Sequence, residues 1–231
     1  MPRISFTVNC EYARISELIP GLLICGVSEL TLDNMIKHRI TQIINATTEV
    51  PNFRFLGNIQ RTKLWLEDTP QTYIFPEFDA ISDQIHTLIQ NGGRVLVHCV
   101  AGVSRSATIC LAYLTKYHCR SLREAFHLMC RTRVRVRPNI GFWKQLIAYE
   151  QLVKKTVGSV RLIYEESQEE KLIPDVYLKL ILAERPQSPT EDENGNRPLL
   201  SIDGRVRRGS GKRQRFQPVL EPLPENIEAF A

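Results

Sequence analysis

The chemistry of this chain is concentrated in nine consecutive residues, His98-Cys99-Val100-Ala101-Gly102-Val103-Ser104-Arg105-Ser106. The strand-like run Arg94-Val95-Leu96-Val97 precedes them and the apolar helix-like run Ala107 to Leu114 follows. A strand, a tight turn and a helix start direct several backbone N–H groups and a helix N-terminus at one point, which suits a phosphate dianion and a thiolate. Cys99 is the candidate nucleophile, because helix N-termini and nearby cations favour the thiolate form of a cysteine. Arg105 offers a planar fork that can hold two phosphoryl oxygens at once, which lysine cannot do. Gly102 lets the chain turn with no Cβ obstructing the cradle. Ser106 is expected to hydrogen-bond the sulfur and make it a better leaving group, and His98 to order the loop. Val100, Ala101, Gly102, Val103, Ser104 and Arg105 would together surround the phosphate. Taken singly, a cysteine is a small buried hydrophobe and an arginine a surface charge. The chemistry rests on the combination.

Phosphoryl transfer to a thiolate leaves an alkoxide or phenoxide that needs a proton. Upstream, Leu64-Trp65-Leu66 runs into Glu67-Asp68-Thr69-Pro70. Alternation along a strand sets Glu67 and Asp68 on opposite faces, so spacing alone leaves both acids open. A plain turn before Pro70 is the competing account of Asp68.

The spacing HC-x5-R-S resembles the signature of cysteine-dependent phosphatases. Residues 14 to 180 are similar to the dual-specificity phosphatases, through Ile43-Ile44-Asn45-Ala46-Thr47, the Asp68 loop, the cysteine loop and Arg137-Pro138-Asn139-Ile140-Gly141-Phe142. The chain looks like the small atypical members that lack a kinase-docking domain, and Leu172-Ile173-Pro174-Asp175-Val176-Tyr177 resembles a C-terminal extension of one subgroup. Thr115 departs from the Met that many members carry. The resemblance implies a phosphocysteine intermediate, Asp68 as general acid with Glu67 the runner-up, and Asn139 close to the catalytic loop. It also implies a shallow pocket that admits phosphoserine, phosphothreonine and phosphotyrosine. Members acting on phosphoinositides or RNA 5′-triphosphates carry Lys or Arg inside the cysteine loop. The uncharged Val100, Ala101 and Val103 therefore favour a single phosphate on a protein side chain, and phosphorylated proteins are the expected partners. The competing readings are a phosphatase of a non-protein ester (a phosphoinositide or RNA 5′-phosphate) and a catalytically silent phosphoprotein-binding module. The intact Asp68, Cys99 and Arg105 argue against the silent module.

The elements that must position these residues are legible from periodicity. Leu22 to Cys25, Gln42 to Asn45 and Thr62 to Leu66 read as strands, with a helical stretch from Thr31 to Arg39. Phe78, Ile81, Ile85, Leu88 and Ile89 share a helix face that Gly92-Gly93 ends. Ser121-Leu122-Arg123-Glu124 is a capping box with Leu122, Ala125, Phe126 and Met129 facing inward. Asn139 is a candidate cap for a helix bearing Phe142, Leu146, Tyr149 and Val153 on one face, and Ser159 to Tyr164 reads as a short strand. Strands alternating with helices predict an α/β fold, a central mostly parallel sheet flanked by helices, with its site at the strands' carboxyl ends. The expected organisation is a catalytic domain over 14–183, with its core at about 14–155, and a disordered tail over 184–231, rich in Pro, Gly and charge.

The 231 residues are 43% hydrophobic, enough for a core, and no apolar run approaches the ~20 residues that span a bilayer. Six cysteines without CxxC pairs, and a start without a secretory pattern, point to a reducing compartment, cytoplasmic or nuclear. The five histidines show no zinc-type spacing, so neither a metal nor a cofactor is expected. The net charge of +5 falls on residues 1–183 (22 Lys/Arg against 17 Asp/Glu), since 184–231 carry eight of each. Much of the excess lies in Arg131-Thr132-Arg133-Val134-Arg135-Val136-Arg137, which is either a patch that steers acidic phosphorylated substrates or a solvated loop. It has no interleaved aromatics, so no nucleic acid partner is expected. The basic run Arg205 to Arg215 is a candidate nuclear-import or polyanion-binding segment. Oligomeric state leaves no mark in the sequence.

Overall fold

The computed structural model describes residues 10–133, 135–165 and 168–178, all within one compact unit. The expected tail over 184–231, with its basic run, lies outside the described residues. A short helix α1 (Cys10–Ala13) leads into β1 (Ser16–Ile19) and β2 (Leu22–Cys25), followed by α2 (Leu32–Lys37), β3 (Gln42–Asn45) and β4 (Gln60–Lys63). Then come α3 (Glu77–Gln90), β5 (Val95–His98), α4 (Arg105–Tyr113), α5 (Leu122–Thr132), α6 (Ile140–Lys154) and a hairpin of β6 (Leu162–Glu165) and β7 (Gln168–Pro174). The main sheet has the order β1-β2-β5-β3-β4 and is parallel except for the β1–β2 pair.

Strand β5 is central, between β2 and β3, and every residue of the three strands is buried. Alternate residues serve opposite faces. Leu22, Ile24, Ile44, Val95 and Val97 join the core built with α3 to α6, while Leu23, Cys25, Ile43 and Leu96 meet Met35, Val50 and Leu56. A sheet covered on both faces favours apolar residues at successive strand positions, as in Leu22–Cys25 and Val95 to Val97. The buried polar ends of β3 are paired: Gln42 Nε2 donates to Thr62 Oγ1 and Asn45 Nδ2 to the Val50 carbonyl. Caps set the helix starts, as the sequence suggests. Thr31 Oγ1 accepts from the Asn34 N–H, Ser121 Oγ from Glu124 and Asn139 Oδ1 from Phe142. Glu124 accepts in turn from the Arg120 N–H, one residue earlier than in a reciprocal capping box.

Two expectations shift, and one strand was not foreseen. Strand β4 occupies Gln60–Lys63 rather than Thr62 to Leu66: the Leu64 N–H still donates to the Asn45 carbonyl at 2.8 Å, but beyond it the Leu66 carbonyl accepts from the Thr48 N–H and from Arg105 instead of a strand partner. The last predicted strand falls at Leu162–Glu165 and pairs with β7. Strand β1, whose Glu17 and partly exposed Ile19 broke the apolar signal, forms on the edge beside β2. Among the described residues no helix is long and apolar enough to cross a membrane, and no group of three or more His, Cys, Asp or Glu is arranged to hold a metal.

His98 ends β5 and is 2% exposed, and burial, aided by the charges of Lys63 and Arg105, brings its imidazole pKa down to about 4. The unfolded chain takes up this proton below its ordinary value near 6.5, whereas the folded chain does so only below about 4. The stability is therefore intact above pH 6.5 and is lost as pH falls toward 4. Urea titrations across this range should show wild type losing about 3 kcal/mol that His98→Gln does not lose. Parallel losses in the two proteins would contradict the assignment.

Candidate active site

The chain leaves β5 at the carboxyl edge of the sheet and turns through residues 99–104 into α4. Gly102 makes the turn possible. Its φ is +71°, and a Cβ there would meet the Cys25 carbonyl oxygen at 2.7 Å and the Arg133 guanidinium closer still. The turn folds the Gly102 N–H back onto Cys99 Sγ at 3.2 Å, and Ser106 Oγ lies 3.1 Å from the same sulfur. Cys99 is 2% exposed and Ser106 fully buried, so an N–H donor and a hydroxyl face a sulfur largely shielded from water. Ser104, the residue before α4, makes no side-chain cap, which leaves the first N–H groups of that helix to the loop.

Arg105 is held by carboxylates. Its Nη1 donates to Glu49 Oε2 at 2.8 Å, with Oε1 at 2.7 Å, and to the Leu66 carbonyl at 3.2 Å. Its Nε is 3.6 Å from Asp68 Oδ2 and is buried with no hydrogen-bond partner. A buried guanidinium N–H without an acceptor is costly, and an oxyanion bound in the loop would supply one. Burial acts to raise the Glu49 carboxyl, but its own backbone N–H and the Arg105 guanidinium outweigh this and hold it below the usual range. Asp68 reaches the same place. Its Oδ1 accepts from Ser104 Oγ at 2.6 Å and from Asn139 Nδ2 at 2.9 Å, and Asn139 also donates its backbone N–H to Ser104 Oγ at 3.2 Å. Gly141 lets the Asp68 loop rest on the start of α6, since a Cβ there would strike the Pro70 carbonyl. Glu67 is exposed and meets none of these groups.

The residues singled out from sequence thus come together: Cys99, Arg105, Ser106, Asp68, Asn139 and the loop 100–104 lie around one cradle. His98 Nδ1 sits 3.4 Å from the Cys99 carbonyl, behind the loop. Glu49 and Arg133 escaped sequence reasoning. Glu49 reads as a surface acid four residues beyond β3. Arg133 sits in a stripe that looks uniformly solvated, yet it is 4% exposed. Its guanidinium donates to the carbonyls of Gly102 at 2.7 Å and Ala101 at 3.3 Å, and to those of Arg14 and Tyr12. The stripe therefore divides. Arg133 is structural, while Arg131, Arg135 and Arg137 face solvent, the last two over the rings of Tyr12 and Tyr177. Burial pushes the Cys25 and Cys110 thiols far above the ordinary range, so neither competes as a nucleophile.

A sulfur that meets an N–H and a hydroxyl, a guanidinium with an orphaned N–H and a carboxyl group 3.6 Å from that N–H are the groups needed to bind a phosphate monoester, attack it and protonate its leaving group. Comparison with known proteins agrees. Residues 22–152 match the model of the dual specificity phosphatase catalytic domain. The chain is 45% identical over 142 residues to dual specificity protein phosphatase 14 of Homo sapiens, covering 61% of this chain and 68% of that protein. It is 40% identical over 167 residues to the human dual specificity protein phosphatase 18, covering 71% and 86%. The crystal structure of a mouse putative dual specificity phosphatase complexed with zinc tungstate superposes with a TM-score of 0.58 at 27% identity, covering 61% of this chain and 89% of that one. With its catalytic-domain match spanning more than half its length and human relatives at 40% and 45% identity, this chain belongs to the dual-specificity phosphatase family and is a hydrolase, a protein phosphatase.

Proposed function

We propose that the enzyme hydrolyses phosphotyrosine, phosphoserine and phosphothreonine in proteins through a phosphocysteine at Cys99. The Cys99 thiolate attacks phosphorus, the bond from phosphorus to the leaving oxygen breaks, and Asp68 delivers its proton to that oxygen. Water then attacks the phosphocysteine. Asp68, now a carboxylate, takes the water's proton, the sulfur–phosphorus bond breaks, and the Ser106 hydroxyl donates to the departing thiolate. Arg105 and the N–H groups of residues 100–105 hold the phosphoryl oxygens throughout. The observation that carries this reading is the orphaned Arg105 Nε, 3.6 Å from the candidate acid, in the loop whose sulfur meets the Gly102 N–H and the Ser106 hydroxyl. The two Glu49 oxygens on Nη1 support a positioning role for that residue, keeping the Nε edge turned to the phosphate. A nucleophilic thiolate is longest-lived where thiols stay reduced, which supports a cytoplasmic or nuclear location.

Cys99→Ser should lower turnover by several orders of magnitude while leaving the fold and phosphate binding intact, because an alcohol is scarcely ionised near neutral pH. Single-turnover assays with thermal melts check this, and near-normal turnover would end the covalent mechanism.

Asp68→Ala should slow phosphoserine and phosphothreonine peptides far more than aryl phosphates with good leaving groups, since alkoxides need the proton more. The alkaline limb of the pH–rate profile should disappear with it. If Glu67→Ala shows that signature instead, the acid is Glu67.

Glu49→Gln should lower kcat/KM by about 10- to 100-fold, the scale of one charge-assisted hydrogen bond. Inhibition by inorganic phosphate should weaken in step, and the pH profile should keep both limbs. An unchanged kcat/KM would remove Glu49 from the machinery.

A further inference from the structure

The chain that carries Asp68 is fixed at its outgoing end, where the Leu66 carbonyl accepts from the Thr48 N–H and from Arg105, each at 3.2 Å. Its return end is fastened by half-buried Gln145 in the second turn of α6. Gln145 Oε1 accepts from the Ile74 N–H at 2.8 Å and the Phe75 N–H at 2.9 Å. Its Nε2 donates to the Thr72 carbonyl at 2.8 Å and the Gly141 carbonyl at 3.2 Å. Two N–H groups meet one end of the amide and two carbonyls the other, so only this orientation satisfies all four.

Between the two anchors, Thr69-Pro70-Gln71-Thr72 closes as a β-turn. The Thr72 N–H donates to the Thr69 carbonyl at 3.2 Å, the two threonine hydroxyls lie 2.9 Å apart, and Pro70 fixes the backbone at the second position of the turn. A turn locked in this way moves as a unit, so the group that holds Thr72 also sets Thr69 and, next to it, Asp68. Asn139 grips the same unit at its other end, donating to Asp68 Oδ1 and to the Thr69 carbonyl at 3.3 Å. Removing the Gln145 amide takes a partner from Thr72, Ile74 and Phe75 together and leaves the turn free to pivot about Asn139.

We infer that Gln145 is a positioning residue for proton delivery. By fastening Thr72 it keeps the Asp68 carboxyl aimed at the leaving oxygen, while its own hydrogen bonds all go to backbone groups of the loop and of α6. The inference rests on Asp68 as the acid and adds the group that aims it.

The test follows kcat/KM across aryl phosphates of graded leaving-group acidity and a phosphoserine peptide, with inhibition by inorganic phosphate and a thermal melt for each variant. Gln145→Met should slow the phosphoserine peptide by about 10- to 100-fold, the cost of misplacing a reacting group by about 1 Å. The best aryl leaving group should slow several-fold less, so the rate depends more steeply on the leaving group than in wild type. Phosphate inhibition should stay close to that of wild type, because the cradle keeps its donors. Gln145→Glu retains the acceptor for Ile74 and Phe75 but loses the donor to Thr72, and it should show the same selective slowing. In an Asp68→Ala background either change should cost less than about threefold, since an absent acid cannot be misaimed. Equal slowing of good and poor leaving groups, or the same fold loss with and without Asp68, overturns the inference and leaves Gln145 a structural residue. Where Gln145→Met does not fold, Gln145→Glu decides by the same two comparisons. If Asp68→Ala alone slows every leaving group alike, the acid assignment fails and the inference falls with it.

Discussion

The geometry of the site depends on a cation behind the catalytic loop. A buried guanidinium is tolerable only when its N–H groups find acceptors, since removing a charge from water costs several kcal/mol. Arg133 finds them in the carbonyls of Ala101, Gly102, Arg14 and Tyr12. Pulling two consecutive loop carbonyls to the rear turns the opposite edge of the loop, with its N–H groups, toward Cys99. It also ties the loop to the segment ahead of β1 and to the end of α5. Gly102 belongs to the same constraint, because the space a Cβ would need is taken by that guanidinium and by Cys25.

In front of the loop the charges are arranged differently. Arg105 meets Glu49, the Leu66 carbonyl and, at longer range, Asp68. Two carboxylates beside a phosphate site would repel a dianion if they were free. Here Glu49 occupies Nη1 and Asp68 is tied to Ser104 and Asn139, so the unpartnered Nε remains for the ligand. The arginine is held in place before substrate arrives, which reduces the ordering that binding must supply.

The sheet and helices serve this arrangement. β5 delivers Cys99 from the central, fully buried strand, and α4 continues the loop into a fully buried helix. The Asp68 loop rests on Gly141 at the start of α6, and the β6–β7 segment closes on the same helix. There Trp143 Nε1 donates to Tyr177 Oη at 2.8 Å. One helix thus supports both the Asp68 loop and the segment that ends the described residues.

Contiguous features were legible in the chain. The loop from Cys99 to Ser106, the strands on either side of the central one, the caps at Thr31, Ser121 and Asn139 and the inward faces of α3, α5 and α6 all follow from neighbours along the sequence. Their cause is local: backbone conformation, helical period and capping hydrogen bonds act over a few residues. Contacts between distant residues were not legible. Glu49 reaches Arg105 across 56 positions, and Arg133 reaches Gly102 across 31. Neither sits in a pattern that distinguishes it from a surface charge. The division between Asp68 and Glu67 is of the same kind, because alternation separates the two acids without saying which face meets Ser104 and Asn139. Burial and partnership of charges are set by what the rest of the chain brings alongside, and only the folded packing specifies that.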